Sequence, residues 1–204
     1  PYLLKINLNF ISNLLLNKTL KESLKILTNL QKNKFFFDAG ILKSVIASLE
    51  IAIFDILAQI KKKPLPNLFA DFFKQKKMIK EIPVYASAGS ILGNSSDLSK
   101  EIKIARNKGF DIFKARISLL NSNYKTKLKI LRDEINHFSL DLISNTFSKN
   151  SNLNLINKLI LELKNFNPMW IEEAFSKDDL HLFKFFKKKG IKFSYGENFN
   201  SVND

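Results

Sequence analysis

From Leu20 onward, apolar side chains recur at Leu20, Leu24, Leu27 and Leu30, one stripe at helical spacing, with Thr19 placed to cap the start. A wider band, Ile41, Val45, Ile46, Leu49, Ile53, Phe54, Leu57 and Ile60, predicts a largely buried helix over 41–60. Asp38-Ala39-Gly40 precedes it, and Lys63-Pro64-Leu65-Pro66 ends it, because proline disfavours helix at the residue before it. The first 80 residues therefore read as helix after helix. After Ile82-Pro83 the rhythm changes. Short apolar segments near 82–86, 110–113, 140–144, 168–171 and 191–195 alternate with helical stretches near 97–108, 122–137, 151–165 and 178–189. That alternation predicts parallel βα units. Gly109 and Gly190 each follow a helix and precede a strand, a good αβ-loop position.

The strand ends carry the candidate chemistry. Asn145, Glu172 and Glu197 each stand where a strand should finish, at intervals of 27 and 25 residues. A (β/α)₈ barrel advances by roughly 30 residues per unit, and groups at the carboxyl ends of its strands meet at one mouth. Oxygen donors repeated at that period point to a hard-cation site. One strand earlier, Lys114 and Arg116 are two apart in Phe113-Lys114-Ala115-Arg116-Ile117, so strand alternation turns both to one face. The same rule sends Glu172 and Glu173 to opposite sides. Asp141 reads as the start of its strand, the end away from this mouth. His137 is read as closing a helix and His181 as opening one, so neither enters the site. Five strands can be counted where a closed barrel needs eight, and the chain begins at Pro1 without a methionine; a fragment or processed product is expected.

Composition narrows the picture without changing it. At 204 residues and 45% hydrophobic the chain can bury a core, and with no cysteine it holds no disulfide or thiolate metal site. No apolar run approaches the ~20 residues of a membrane span, and no signal peptide opens the sequence; a cytoplasmic protein with no membrane partner is expected. The formal charge of +14 invites a nucleic-acid partner. Against it, arginine occurs only at positions 106, 116 and 132, and the lysines are scattered over helix faces. The runs Lys61-Lys62-Lys63 and Lys187-Lys188-Lys189 fall at predicted helix ends, where cations complement the macrodipole. A nucleic-acid role is therefore the weakest alternative.

Four segments resemble the enolase superfamily, within it the branch of mandelate racemase and muconate lactonizing enzyme. Residues 44–58, Ser-Val-Ile-Ala-Ser-Leu-Glu-Ile-Ala-Ile-Phe-Asp-Ile-Leu-Ala, resemble the long helix of the family's capping domain. Ile82-Pro83-Val84-Tyr85-Ala86-Ser87 resembles its first barrel strand, and 109–116 its second, with Lys-x-Arg for the usual Lys-x-Lys. Trp170-Ile171-Glu172-Glu173 and Gly196-Glu197-Asn198 resemble the fourth and fifth strand ends.

The resemblance implies an α/β fold: an incomplete (β/α)₈, TIM-like barrel of about five βα units in 81–204, truncated after strand five. Helices of an α+β capping domain would occupy 1–80. It also implies Mg²⁺ held by Asn145, Glu172 and Glu197, with Asn145 where the family has an aspartate and Phe147 where a polar residue usually follows. Lys114 and Arg116 match the catalytic pair. A guanidinium stays protonated, so Arg116 is expected to hold the substrate or its developing charge, leaving the base to Lys114 or to a later strand. Ser90-Ile91-Leu92-Gly93-Asn94-Ser95 resembles a substrate-side loop. The implied reaction is Mg²⁺-assisted abstraction of the proton α to a carboxylate, first as dehydration of an acid sugar or hydroxy acid. Racemisation or epimerisation is the alternative, and a catalytically impaired enolase-like protein another. A small-molecule carboxylate is the expected partner, and the full-length protein is expected to be a homo-oligomer.

Overall fold

The computed structural model describes residues 2–32, 40–75, 81–90, 93–143, 147, 152–176 and 179–197. The chain forms two compact units that divide between Ile82 and Pro83.

The first unit is helical: α1 (Tyr2–Leu15), α2 (Leu20–Lys32), α3 (Ile41–Lys61) and α4 (Leu65–Phe72). Ile11, Leu27, Val45, Ile46 and Ile53 are its buried centre, and Leu20, Leu24 and Leu30 pack against it as the stripe predicts. Thr19 and Glu22 form a reciprocal capping box: the Thr19 N–H donates to Glu22 Oε2 at 2.8 Å and the Glu22 N–H to Thr19 Oγ1 at 3.3 Å. The band on α3 is buried less widely than expected, since Ile41 and Ile60 stay exposed. Helix α3 stops at left-handed Lys62. A new helix starts directly beyond it, because Pro66 falls in the first turn, where no N–H is missed. Phe54 of α3 packs on Phe69 and Phe72 of α4, with ring centroids 5.0 and 5.9 Å apart.

The second unit alternates strand and helix: β1 (Ala86–Ala88), α5 (Ser95–Asn107), β2 (Ile112–Arg116), α6 (Tyr124–Glu134), β3 (His137–Asp141), α7 (Leu153–Lys164), β4 (Ile171–Glu172), α8 (Leu180–Lys187) and β5 (Phe193–Ser194). All pairings are parallel and the spatial order is the chain order, β1-β2-β3-β4-β5. Sequential order without a crossover is how barrel strands run; a doubly wound sheet reverses direction at a switch point. Gly109 and Gly190 take φ of +84° and +80° in the αβ turns, as their positions require.

The strands are shifted from the expected ranges, the second to Ile112–Arg116 and the fourth to Ile171–Glu172, and the shifts in the first and third have evident causes. The first strand begins at Ala86 rather than 82, because Pro83 has no N–H for a ladder. The third runs from His137 to Asp141 rather than over 140–144, so His137 opens a strand and does not close a helix. Helix α6 ends at Glu134 with Ile135 already extended, and the His137 N–H donates to Asp111 O. At the other end, Ile143 turns left-handed at φ 52° and its N–H donates to Asp141 Oδ1 at 2.9 Å. Asp141 is therefore the last residue of its strand.

In β2 and β3, Phe113, Ala115, Phe138 and Leu140 point to one face, packing with Ile102, Leu128, Leu131, Ile160 and Leu163 of the helices. The alternate residues form the opposite face. Strand register sets them in two rungs: Ser87, Lys114 and Ser139, then Arg116, Asp141, Glu172 and Ser194. The apolar face packs against the helices, and the polar face carries the charged side chains.

Leu140, fully buried at the centre of the sheet, is expected to cost about 2–5 kcal/mol when replaced by alanine. Thr19→Ala should cost the helical unit only about 1 kcal/mol through the lost cap. Urea unfolding of each variant checks the contrast; equal losses would mean that the sheet core is not packed as described.

Candidate active site

The second rung and its surroundings line a cleft of about 390 Å³ at the carboxyl ends of the strands, bordered by Tyr85, Lys114, Arg116, Asp141, Glu172 and Glu197. The centre is an ion-pair cluster. Lys114 is buried, and its Nζ lies 2.5 Å from Glu172 Oε1 and 3.9 Å from Asp141 Oδ2. It crosses β3 to reach β4, and the small Ser139 beside it in register leaves room for that span. Arg116 Nε stands 3.6 Å from the same Asp141 oxygen. Trp170 Nε1 donates to Glu172 Oε2 at 3.3 Å, and Tyr85 packs edge-on against Trp170 while its ring lies 5.5 Å from the Lys114 ammonium.

This environment decides the protonation of Lys114. Burial alone would lower its pKa, but the hydrogen bond and charge of Glu172, aided by Tyr85 and Asp141, outweigh burial and raise it above the ordinary lysine value. Lys114 is a cation at neutral pH, a hydrogen-bond donor rather than a proton acceptor.

Of the five sequence-derived residues, Lys114, Arg116, Glu172 and Glu197 are among those described. Lys114 and Arg116 share a face and both reach Asp141. Glu172 and Glu197 line the same cleft. Asn145 lies outside the described residues, as do Ile91 and Leu92 of the loop after β1. Within that loop Asn94 caps α5, its Oδ1 accepting from the Asp97 N–H at 2.9 Å. Phe147 is a packing residue that stacks on Phe175. Glu173 does not turn away as strand alternation predicts. It sits at a left-handed φ of 47°, is buried, and lines the cleft, its Oε1 accepting from the N–H groups of Gly196 and Glu197 at 2.7 and 2.8 Å. It thereby holds the turn that carries Glu197.

Asp141 is the residue that sequence reading set aside. Placed at its strand's end and level with Arg116 and Glu172, it is almost fully buried and anchors both cations. Its signal was the five-residue segment His137–Asp141, misread by three positions because Leu142 and Ile143 continue the apolar run.

In kind, Asp141, Glu172 and Glu197 are hard oxygen donors suited to Mg²⁺. In arrangement, no three acidic or imidazole side chains among the described residues gather around one point that could hold an ion. Glu172 is instead turned to Lys114 and Trp170. No helix among the described residues is long and apolar enough to cross a membrane.

No family model matches the chain, and no curated protein matches it by sequence. Solved structures do match. The 3,6-anhydro-D-galactonate cycloisomerase from Zobellia galactanivorans is 18% identical with a TM-score of 0.77, over 95% of this chain and 53% of that one. An enolase from Bradyrhizobium complexed with magnesium and mandelic acid is 21% identical with a TM-score of 0.73, over 96% and 52%. A racemase from Streptomyces coelicolor with bound magnesium is 20% identical with a TM-score of 0.72, over 92% and 51%. The chain spans about half the length of these structures. Its fold is the one that these enolase-superfamily proteins share over that half.

Proposed function

We propose that this chain contributes the carboxylate-binding and charge-stabilising part of a site that removes the proton α to a carboxylate. On this reading residues 1–80 belong to a capping domain and 81–204 to the first part of a barrel. Dehydration of an acid sugar or hydroxy acid is the reaction preferred, with racemisation or epimerisation the alternative. One observation carries the proposal: Arg116, Asp141 and Glu172 lie side by side on one rung, with Lys114 reaching across it.

The chemistry follows from the charges. A carbon acid next to a carboxylate is very weak, so its deprotonation requires that the negative charge growing on the carboxylate oxygens be met by fixed donors. Arg116, whose side chain is more than half exposed, is accessible to a substrate carboxylate in the cleft. Lys114, held protonated and nearly buried, can donate to the same oxygens as charge develops. The proton acceptor must then be another group, since neither cation accepts a proton in this state. Magnesium is named with two of the similar structures; Asp141, Glu172 and Glu197, with Asn145 as a further oxygen donor, would hold it only with Glu172 released from Lys114, since they do not gather around one point as they stand, and the ion would then add Lewis-acid stabilisation. In dehydration that acceptor takes the α-proton, the Cα–H electron pair becomes the Cα–Cβ double bond, and the C–O bond breaks as the hydroxyl leaves as water with the proton returned by the same acceptor.

The engagement of Glu172 with Lys114 favours a second reading, an enolase-like protein without turnover. Two measurements separate them. In D₂O, the protein as its gene encodes it should incorporate deuterium at the α-carbon of at least one member of an acid-sugar and hydroxy-acid panel. Lys114→Met should slow that exchange about 10²-fold or more; no exchange with any member sinks the catalytic reading. By calorimetry, Asp141→Asn should abolish Mg²⁺ binding. If instead only Asn145→Asp confers binding, residue 145 is the decisive ligand and Asp141 is structural.

The Lys114 pair also predicts a pH dependence. Its folded pKa is raised, so its stabilisation is fully present below the ordinary lysine value of 10.5 and is lost as pH rises through the folded pKa. The stability gap between wild type and Lys114→Met should stay constant up to about pH 10.5 and shrink above it. A gap that closes already below pH 9 would mean that burial, not Glu172, governs Lys114.

A further inference from the structure

Four carboxylates, Asp141, Glu172, Glu173 and Glu197, and two cations, Lys114 and Arg116, line the cleft. That acid surplus favours a divalent cation, yet the carboxylates do not close on one point. Their present partners show why. The Lys114 ammonium stands 2.5 Å from Glu172 Oε1, and Trp170 Nε1 donates to Oε2 at 3.3 Å, so both oxygens of Glu172 are engaged. Asp141 is shared between Lys114 at 3.9 Å and Arg116 at 3.6 Å. Glu173 Oε1 accepts from the N–H groups of Gly196 and Glu197. Glu197 is exposed.

A magnesium ion sits about 2.1 Å from each oxygen that holds it. An ion on Glu172 Oε1 and the Lys114 ammonium would be two cations crowded on one oxygen, so the two occupancies exclude each other. Releasing Glu172 has its own cost. Lys114 is buried, and a buried ammonium that loses its closest counter-charge is strongly destabilising unless another anion replaces it. Asp141 already serves Arg116 as well. A ligand carboxylate in the cleft is the anion that can take over. We infer that Lys114 is a built-in counter-ion that keeps Glu172 from a divalent cation until a carboxylate ligand takes Glu172's place at the ammonium, so that the anion gates the loading of the cation. This rests on reading the cleft as the carboxylate site, and it adds an order of binding and a coupling between the two ligands. By linkage, the cation strengthens carboxylate binding by the same factor.

Binding is measured so that the result does not depend on turnover. Mg²⁺ is titrated into the protein as its gene encodes it, with and without propionate, a carboxylate with no hydroxyl to chelate the ion. Calorimetry reads affinity. Emission reads the movement of Glu172, because Trp170 is the single tryptophan and its indole donates to that residue. Propionate should tighten Mg²⁺ binding at least about tenfold, with Trp170 emission changing along the same curve. Lys114→Met, checked for fold by circular dichroism, should bind Mg²⁺ at least about tenfold more tightly than wild type without propionate, and propionate should then add less than about twofold. The wild-type titrations decide by themselves if that variant does not fold. Wild-type binding that is absent or unchanged by propionate overturns the inference, as does binding without a change at Trp170. Equal coupling in Lys114→Met also overturns it, since the anion would then sit on the ion itself. So does a gain in Lys114→Met that vanishes in about 0.5 M KCl, where repulsion at a distance is screened and competition by contact is not. If the coupling is present but no α-proton exchanges, the reaction assigned to the cleft fails while the gate stands.

Discussion

The second unit is organised around the burial of charge. Lys114 is enclosed by the sheet, and a buried ammonium is tolerated only with partners close enough to offset its desolvation. Glu172 and Asp141 supply that offset, which requires β2, β3 and β4 to be adjacent, parallel and in a register that sets Arg116, Asp141 and Glu172 on one rung. A slip of one residue in β3 would replace Asp141 with Leu140 or Leu142, leaving both cations without it. Register, charge pairing and the site are thus one constraint.

The same constraint separates the two faces of the sheet. Phe113, Ala115, Phe138 and Leu140 bind the strands to the helices, so the opposite face is released from packing duty and can hold a lysine, an aspartate and a glutamate. The cleft opens where this polar face meets the loops beyond the strands, and Arg116, the last residue of β2, borders it.

Much of this was legible from residue types and their spacing. The Leu20–Leu30 stripe, the Thr19 cap, the Gly109 and Gly190 turns and the alternation of strand and helix all rest on local chemistry, and local chemistry is written residue by residue. Lys114 and Arg116 share a face because strand alternation is obligatory. Glu172 and Glu197 line one cleft because parallel strands carry their carboxyl ends to the same side. Asp141 was missed for an equally local reason: Leu142 and Ile143 prolong the apolar run, and nothing in their identity announces the left-handed turn at Ile143 that ends the strand. Glu173 was misdirected by the same blindness, since alternation fails at a residue with positive φ.

The sequence alone determined the helix-rich first unit, the order of the βα elements and the set of charged groups available for chemistry, because periodicity, caps and turn residues act over a few positions. Only the tertiary structure decided which of those groups meet. That Lys114 passes over Ser139 to Glu172 and that Glu173 grips the turn before Glu197 are outcomes of strand register. Such contacts join residues 23 to 58 positions apart, a range over which packing rather than local preference sets position.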